Sequence, residues 1–90
     1  MEITARLTAK GLVQGVGYRY YVLVQGRRLG LSGYVRNLPN GDVEVVAEGE
    51  RGRIEDLISA CKAGPRAAHV TDLSIEWSKY ESRYQGFEVR

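Results

Sequence analysis

Two places in this sequence gather residue types able to handle an anion. The first is Gly11-Leu-Val-Gln-Gly-Val-Gly-Tyr-Arg19, where three glycines and an arginine surround a short apolar core. Glycines between a strand and a helix let successive backbone N–H groups turn inward, joining the unpaired donors and positive dipole end of the helix. Val13-Gln14-Gly15-Val16-Gly17-Tyr18 fits such a cradle. Arg19 falls in the first helical turn, where a cation opposes the helix dipole by ~0.3–1 kcal/mol. An anion shared by loop and guanidinium removes that conflict, and the paired donors of arginine suit phosphate oxygens. The second place is Asn37, an uncharged amide on a core-facing strand position, where an unpaired group costs on the order of 1–3 kcal/mol. It either bonds the local backbone, as strand-end asparagines do, or holds a water that faces an anion in the first loop.

The loop by itself leaves its meaning open, because Gly-x-Gly followed by Arg is also the sequence of a plain turn beside a surface arginine. Two nucleotide motifs are excluded. Tyr20 stands where a dinucleotide fingerprint needs its third glycine, and no Gly-Lys-Ser/Thr follows as in a P-loop.

The elements that must position these residues follow from periodicity. Ile3, Ala5, Leu7, Ala9, Gly11 and Val13 alternate with Thr4, Arg6, Thr8 and Lys10, a strand with one buried face. Tyr18, Val22, Gly26 and Leu29 form one helical stripe, in which Gly26 permits close approach to a sheet and Gly30 ends the helix. Leu23 and Val24 lie off the stripe. In Ser32 to Gly49 two strands meet at a turn, and turn chemistry decides their register. A two-residue Asn40-Gly41 turn scatters the apolar positions over both faces. A three-residue loop, with Pro39 leading a type I turn and Gly41 left-handed, pairs Val35 with Val45 and Asn37 with Val43. Gly33, Val35, Val43, Val45 and Ala47 then share a buried face with Asn37, so the second register is preferred.

Ile54, Leu57, Ile58 and Cys61 mark a second helix closed by Gly64-Pro65. Leu73, Ile75 and Trp77 alternate in a fourth strand, and Gly86 to Val89 adds a short fifth. The order is β-α-β-β-α-β plus a terminal strand, an α+β arrangement with two helices on one face of a four- to five-stranded antiparallel or mixed sheet.

Ninety residues without a linker or composition shift make one expected domain, 1–90. A formal net charge of +2 argues against a nucleic-acid partner, and no apolar run reaches the ~18 residues of a membrane span. The first ten residues hold no apolar signal-peptide core, and a single cysteine precludes an internal disulfide framework, so a cytoplasmic location is expected. One histidine, one cysteine and scattered carboxylates supply no ligand set at metal spacing.

Taken together, the motifs resemble those of the acylphosphatases. Gly11-x-Val13-Gln14-Gly15-Val16-Gly17-Tyr18-Arg19 is similar to the phosphate-loop signature of that family. Gly33-Tyr34-Val35-Arg36-Asn37-x-x-x-Gly41-x-Val43, with Gly49 beyond, is similar to its second signature. Gly64-Pro65 and the final Phe87-x-Val89 also fit, so the resemblance spans essentially the whole chain. Tyr18 departs from the usual phenylalanine, and Ala9 from a larger aliphatic residue; neither change removes a reacting group. The resemblance implies a ferredoxin-like fold and hydrolysis of acyl phosphates to a carboxylate and inorganic phosphate, with neither metal nor cofactor. It implies that Arg19 and the backbone of Gln14, Gly15, Val16, Gly17, Tyr18 and Arg19 bind the phosphoryl group, and that Asn37 orients the attacking water. The expected partner is a small acyl phosphate, carbamoyl phosphate among the candidates, and the expected state is a monomer.

Other residues carry less. His69 is read as a surface side chain just before the fourth strand, Cys61 as packing on the second helix, and Trp77 as core. Tyr18, Tyr20 and Tyr21 beside Arg19 echo an RNA-binding signature, but that signature belongs on a central strand and here it begins a helix. A non-catalytic anion-binding module would keep the cradle and leave Asn37 unexplained.

Overall fold

The computed structural model describes residues 1–90. Its elements run β1 (Glu2–Leu12), α1 (Tyr18–Arg28), β2 (Ser32–Asn37), β3 (Val43–Glu50), α2 (Arg51–Ala63), β4 (His69–Ser78) and β5 (Phe87–Val89). The strands form one sheet in the order β4-β1-β3-β2-β5, antiparallel throughout except for the parallel β2–β5 pair. This is the expected ferredoxin-like βαββαβ arrangement, with β5 extending the sheet beyond β2.

Each helix buries the stripe its sequence dictates. Tyr18 and Val22 of α1, and Ile54, Leu57, Ile58 and Cys61 of α2, join the inward residues of β1, β2 and β3 in a single core. Gly26 lets α1 lie flat on the sheet edge: a Cβ there would come within 2.8 Å of the Phe87 ring. The helix then stops in a Schellman motif. The N–H of Leu31 reaches Gly26 O at 3.0 Å and that of Gly30, left-handed at φ 68°, reaches Arg27 O at 3.1 Å.

The turn between β2 and β3 adopts the three-residue register. Val35 faces Val45 and Asn37 faces Val43. The N–H of Gly41 donates to Leu38 O at 3.2 Å, closing a turn with Pro39 in its second position, and Gly41 itself has φ 96°. Asn40 locks the exit by accepting from the Asp42 N–H at 3.0 Å.

From β4 at one edge the chain must reach β5 at the other, and a buried carboxylate guides it. Glu48, only 2% exposed on the helix-free face, accepts from the N–H groups of Glu81 at 3.3 Å and Arg83 at 2.9 Å, and from the Thr4 hydroxyl at 3.0 Å. Tyr84 then packs edge-on against Tyr34, with ring centroids 5.7 Å apart. The crossing delivers β5 alongside the strand that ends in Asn37, where the Arg90 N–H donates to Val35 O at 2.9 Å.

Two expectations need correction. β4 begins at His69 rather than after it, because Leu12 pairs with His69 beyond a bulge at Lys10/Gly11. Trp77 is half-buried rather than enclosed in the core; β4 is an edge strand, and the Arg51 guanidinium covers the ring 4.3 Å from its centroid.

The bulge makes Gly11 irreplaceable. Its φ is 117°, and an added Cβ would collide with His69 O while lying 2.9 Å from Thr71 N. Gly11→Ala should therefore lower stability by about 2–5 kcal/mol in urea unfolding, combining backbone strain with overpacking. Gly52→Ala, where a Cβ would meet nothing within 4 Å, should be neutral or stabilising by up to ~1 kcal/mol.

Candidate active site

Between β1 and α1 the chain turns at two left-handed glycines, Gly15 at φ 74° and Gly17 at φ 79°. A Cβ at either would meet nothing within 4 Å, so the backbone conformation and not crowding demands glycine here. These conformations turn a row of donors away from the protein. The N–H groups of Gln14, Gly15, Val16 and Gly17 find no protein acceptor, and the first helical N–H that does is Tyr21, onto Gly17 O at 3.0 Å. No side chain caps α1 and no acid stands in its first turn. The N-terminal donors and dipole of the helix are thus uncompensated from within the chain.

Arg19 adds a second unmatched positive group. Its side chain is exposed and forms no ion pair. It borders a depression of about 250 Å³ together with Gly15, Gly17, Tyr20 and Val89. A site rich in N–H donors and one guanidinium, with no carboxylate nearby, attracts a tetrahedral oxyanion.

The other members of the loop anchor it. Val13 is buried, and Tyr18 is buried to 1%. The Tyr18 hydroxyl donates to Cys61 O at 2.8 Å and that of Tyr21 to Ala60 O at 2.8 Å, pinning the start of α1 to the last turn of α2. Burial, with the contact to Cys61 behind it, raises the Tyr18 phenol well above its ordinary range, so it does not ionise near neutrality. Burial likewise pushes the Cys61 thiol up to about 12, which removes it as a nucleophile.

Gln14 has a role that its sequence context did not reveal. Its side-chain amide donates to Leu38 O at 2.9 Å and to Asp42 O at 2.8 Å, spanning both sides of the β2–β3 turn. Only its backbone N–H remains for an anion. Lys10 adds an ion pair to Asp42 at 2.7 Å, and both the hydrogen bond and the charge of Asp42 raise the lysine pKa. The two contacts couple the glycine loop to the turn that follows Asn37. The sequence signal for this was the polar Gln14 between apolar Val13 and Gly15, but its target lies 24 residues downstream.

Asn37 occupies the core-facing position expected of it, and its Oδ1 is buried without a hydrogen-bond partner. It lines a separate depression of about 370 Å³ with Tyr34, Arg36 and Arg90 rather than the one beside Arg19. The chain end touches each of them, Val89 bordering the first and Arg90 the second. The arginines near Asn37 are committed elsewhere. Arg36 Nε binds Glu44 at 2.6 Å, and Arg90 pairs with Glu88 at 3.0 Å while stacking 4.4 Å from the Tyr34 centroid. Burial alone would raise the Glu44 carboxyl, but hydrogen bonds from Arg36 and Tyr34 and the charges of Arg36 and Arg6 hold it below its ordinary value. Arg19 is therefore the one guanidinium bordering either depression without a carboxylate partner. His69 borders neither.

Comparison with known proteins points the same way. The acylphosphatase family pattern matches residues 5–89. The chain is similar to an acylphosphatase of Nostoc sp., with 48% identity over 98% of this chain and 86% of that protein. Among solved structures it resembles an acylphosphatase from Bacillus subtilis, with a TM-score of 0.94 and 33% identity covering 98% of each chain. It also resembles one from Coxiella burnetii, with a TM-score of 0.93 and 40% identity over 99% of this chain and 93% of that one.

The Gln14 brace can be tested by stability. Gln14→Glu sets a carboxylate against two carbonyl oxygens and should cost about 1–3 kcal/mol at pH 7 by urea unfolding. The folded state then holds that carboxyl above its unfolded pKa. The deficit should shrink as pH falls toward roughly 4–5, where the protonated acid can donate again. Gln14→Ala should show a loss that does not recover with acid.

Proposed function

The chain belongs to the acylphosphatase family and is a hydrolase of acyl phosphates; we propose that it works without a metal, holding the phosphoryl group in the Gln14–Arg19 loop and presenting the attacking water from Asn37. The observation that carries this reading is the run of N–H groups from Gln14 to Gly17 that meets no protein acceptor beside an unpaired Arg19. These donors match the equatorial oxygens of a phosphoryl group, over which charge is spread as the transition state loosens. They are fixed before substrate arrives, so little reorganisation accompanies the reaction.

The bonds follow simply. The water oxygen attacks phosphorus in line, the bond from phosphorus to the acyl oxygen breaks, and its electron pair leaves with the carboxylate. A carboxylate with a conjugate-acid pKa near ~4 departs without a general acid. The proton of the water passes to a phosphoryl oxygen. No carboxylate or imidazole borders the loop depression, and the raised Tyr18 phenol is bonded to Cys61 O, which supports a mechanism without a protein acid or base. No His, Cys, Asp or Glu borders the loop depression, so the groups offered to the phosphoryl oxygens there are N–H donors and a guanidinium.

Asn37 fits the role of water holder. Its Oδ1 has no hydrogen-bond partner in the protein, which leaves the acceptor that a water-holding role requires. We place the enzyme in the cytoplasm as a monomer acting on small acyl phosphates. The single free cysteine supports that address, and no helix is long and apolar enough to cross a membrane.

Arg19→Ala should lower kcat for benzoyl phosphate by roughly 10³ or more, the range of a transition-state arginine. Asn37→Ala should lower kcat by about 10²–10³ while inorganic phosphate inhibits as tightly as before, because water placement and not anion capture is lost. Unchanged turnover in either variant would remove the role assigned to that residue. EDTA should leave the rate unaltered; loss restored by a divalent cation would overturn the metal-free mechanism. With arginine and an amide as the acting groups, kcat/KM should show no steep limb between roughly pH 5 and 8. A steep limb in that window would bring a titrating side chain into the mechanism and contradict this reading.

A further inference from the structure

Resting on that reading, we infer that Tyr20 and Val89 form an apolar shelf that receives the acyl group, favouring aromatic or bulky acyl phosphates over acetyl phosphate. Both residues spend hydrophobic surface on solvent: Tyr20 is 70% exposed and Val89 41%. No hydrogen bond or aromatic pair engages Tyr20. Single exposed apolar residues are ordinary on protein surfaces. These two are set apart by sharing one depression with Gly15, Gly17 and Arg19.

Their convergence follows from the packing of α1 on β5. Phe87 and Val89 point to the same face of a strand, and Phe87 seats against Gly26. Two residues further along β5, Val89 reaches back to the first turn of α1, where Arg19 and Tyr20 stand side by side. One wall of the depression is thus polar and positive, the other aromatic and aliphatic. An acyl phosphate has the same two-sided character, a charged phosphoryl group joined through one oxygen to an apolar body. With the phosphoryl group against the Gly15–Gly17 donors and Arg19, the acyl body falls on the other wall. At about 250 Å³ the depression lies below the ~300–1,000 Å³ of sites for drug-sized ligands, so it suits a fragment the size of a single ring. A ring stacked beside the Tyr20 side chain gains the aromatic contact that acetyl cannot make.

The test compares benzoyl phosphate with acetyl phosphate on wild-type protein, Tyr20→Ala, Val89→Ala and Leu12→Ala, the last an exposed apolar residue outside the depression. Tyr20→Ala should lower kcat/KM for benzoyl phosphate about 3–10-fold, the size of an aromatic contact, and change that for acetyl phosphate less than twofold. Val89→Ala should act in the same direction more weakly, Leu12→Ala should leave both unchanged, and Tyr20→Phe should keep the wild-type ratio. Equal losses on the two substrates, or an unaltered ratio in Tyr20→Ala, would overturn the shelf while the hydrolase reading stood. Failure of the wild type to hydrolyse either compound would overturn both.

Discussion

A helix that begins without an acceptor for its first N–H groups is the constraint around which this molecule is arranged. Ordinarily a serine, threonine or acidic side chain satisfies those donors. Here left-handed Gly17 takes that place, no acid stands in the first turn, and an unpaired arginine adds to the positive end. The arrangement is unfavourable within the free chain and favourable only toward an anion. Stability must be supplied by the surroundings, and they supply it on three sides. Buried Val13 holds the loop to the core, the Tyr18 and Tyr21 hydroxyls fasten α1 to α2, and Gln14 ties the loop to the β2–β3 turn.

The rest of the fold can be understood as the framework for that geometry. Pairing of β1 with β3 and of β3 with β2 puts Ala9, Val43 and Asn37 in one row across the sheet. The end of β1 and the end of β2 therefore emerge at the same margin, one leading into the donor loop and the other ending in the free acceptor. Glu48 is the counterpart at a distance. By catching two backbone N–H groups of the crossing segment it brings β5 to the β2 edge, so that Val89 borders the depression beside Arg19 and Arg90 the one beside Asn37. Removing one partner of such a buried group leaves its desolvation uncompensated, so this polar hook is more than decoration of an open face.

Much of this was legible in sequence, and the reason is local. The period-2 pattern of β1, the stripes of both helices and the Schellman glycine after α1 depend on residues within a few positions of one another. The three-residue turn was decided by Pro39 and Gly41 together with the face on which the valines had to lie, and that register carried Asn37 to its core-facing position. What escaped was set by contacts across the fold. Neither the Tyr18 hydroxyl bonded to Cys61 O nor the Gln14 amide bonded to Leu38 O and Asp42 O leaves a pattern in nearby residues. The early start of β4 at His69 needed the bulge beside Gly11, and the partial exposure of Trp77 needed β4 to be an edge. That the depression beside Arg19 is bordered by Val89 and the one beside Asn37 by Arg90 is likewise a consequence of where β5 docks.

The central claim, that the loop donors and Arg19 form one anion site, is tested most directly by titrating ¹⁵N-labelled protein with inorganic phosphate and following backbone amide shifts. The account predicts that the amides of Gly15, Val16, Gly17, Tyr18 and Arg19 move together along one binding curve, and that Arg19→Ala weakens that curve at least tenfold without altering the unliganded spectrum elsewhere. Shifts confined to the opposite face of the sheet, around Arg6 and Arg83, or a loop that does not respond, would contradict it.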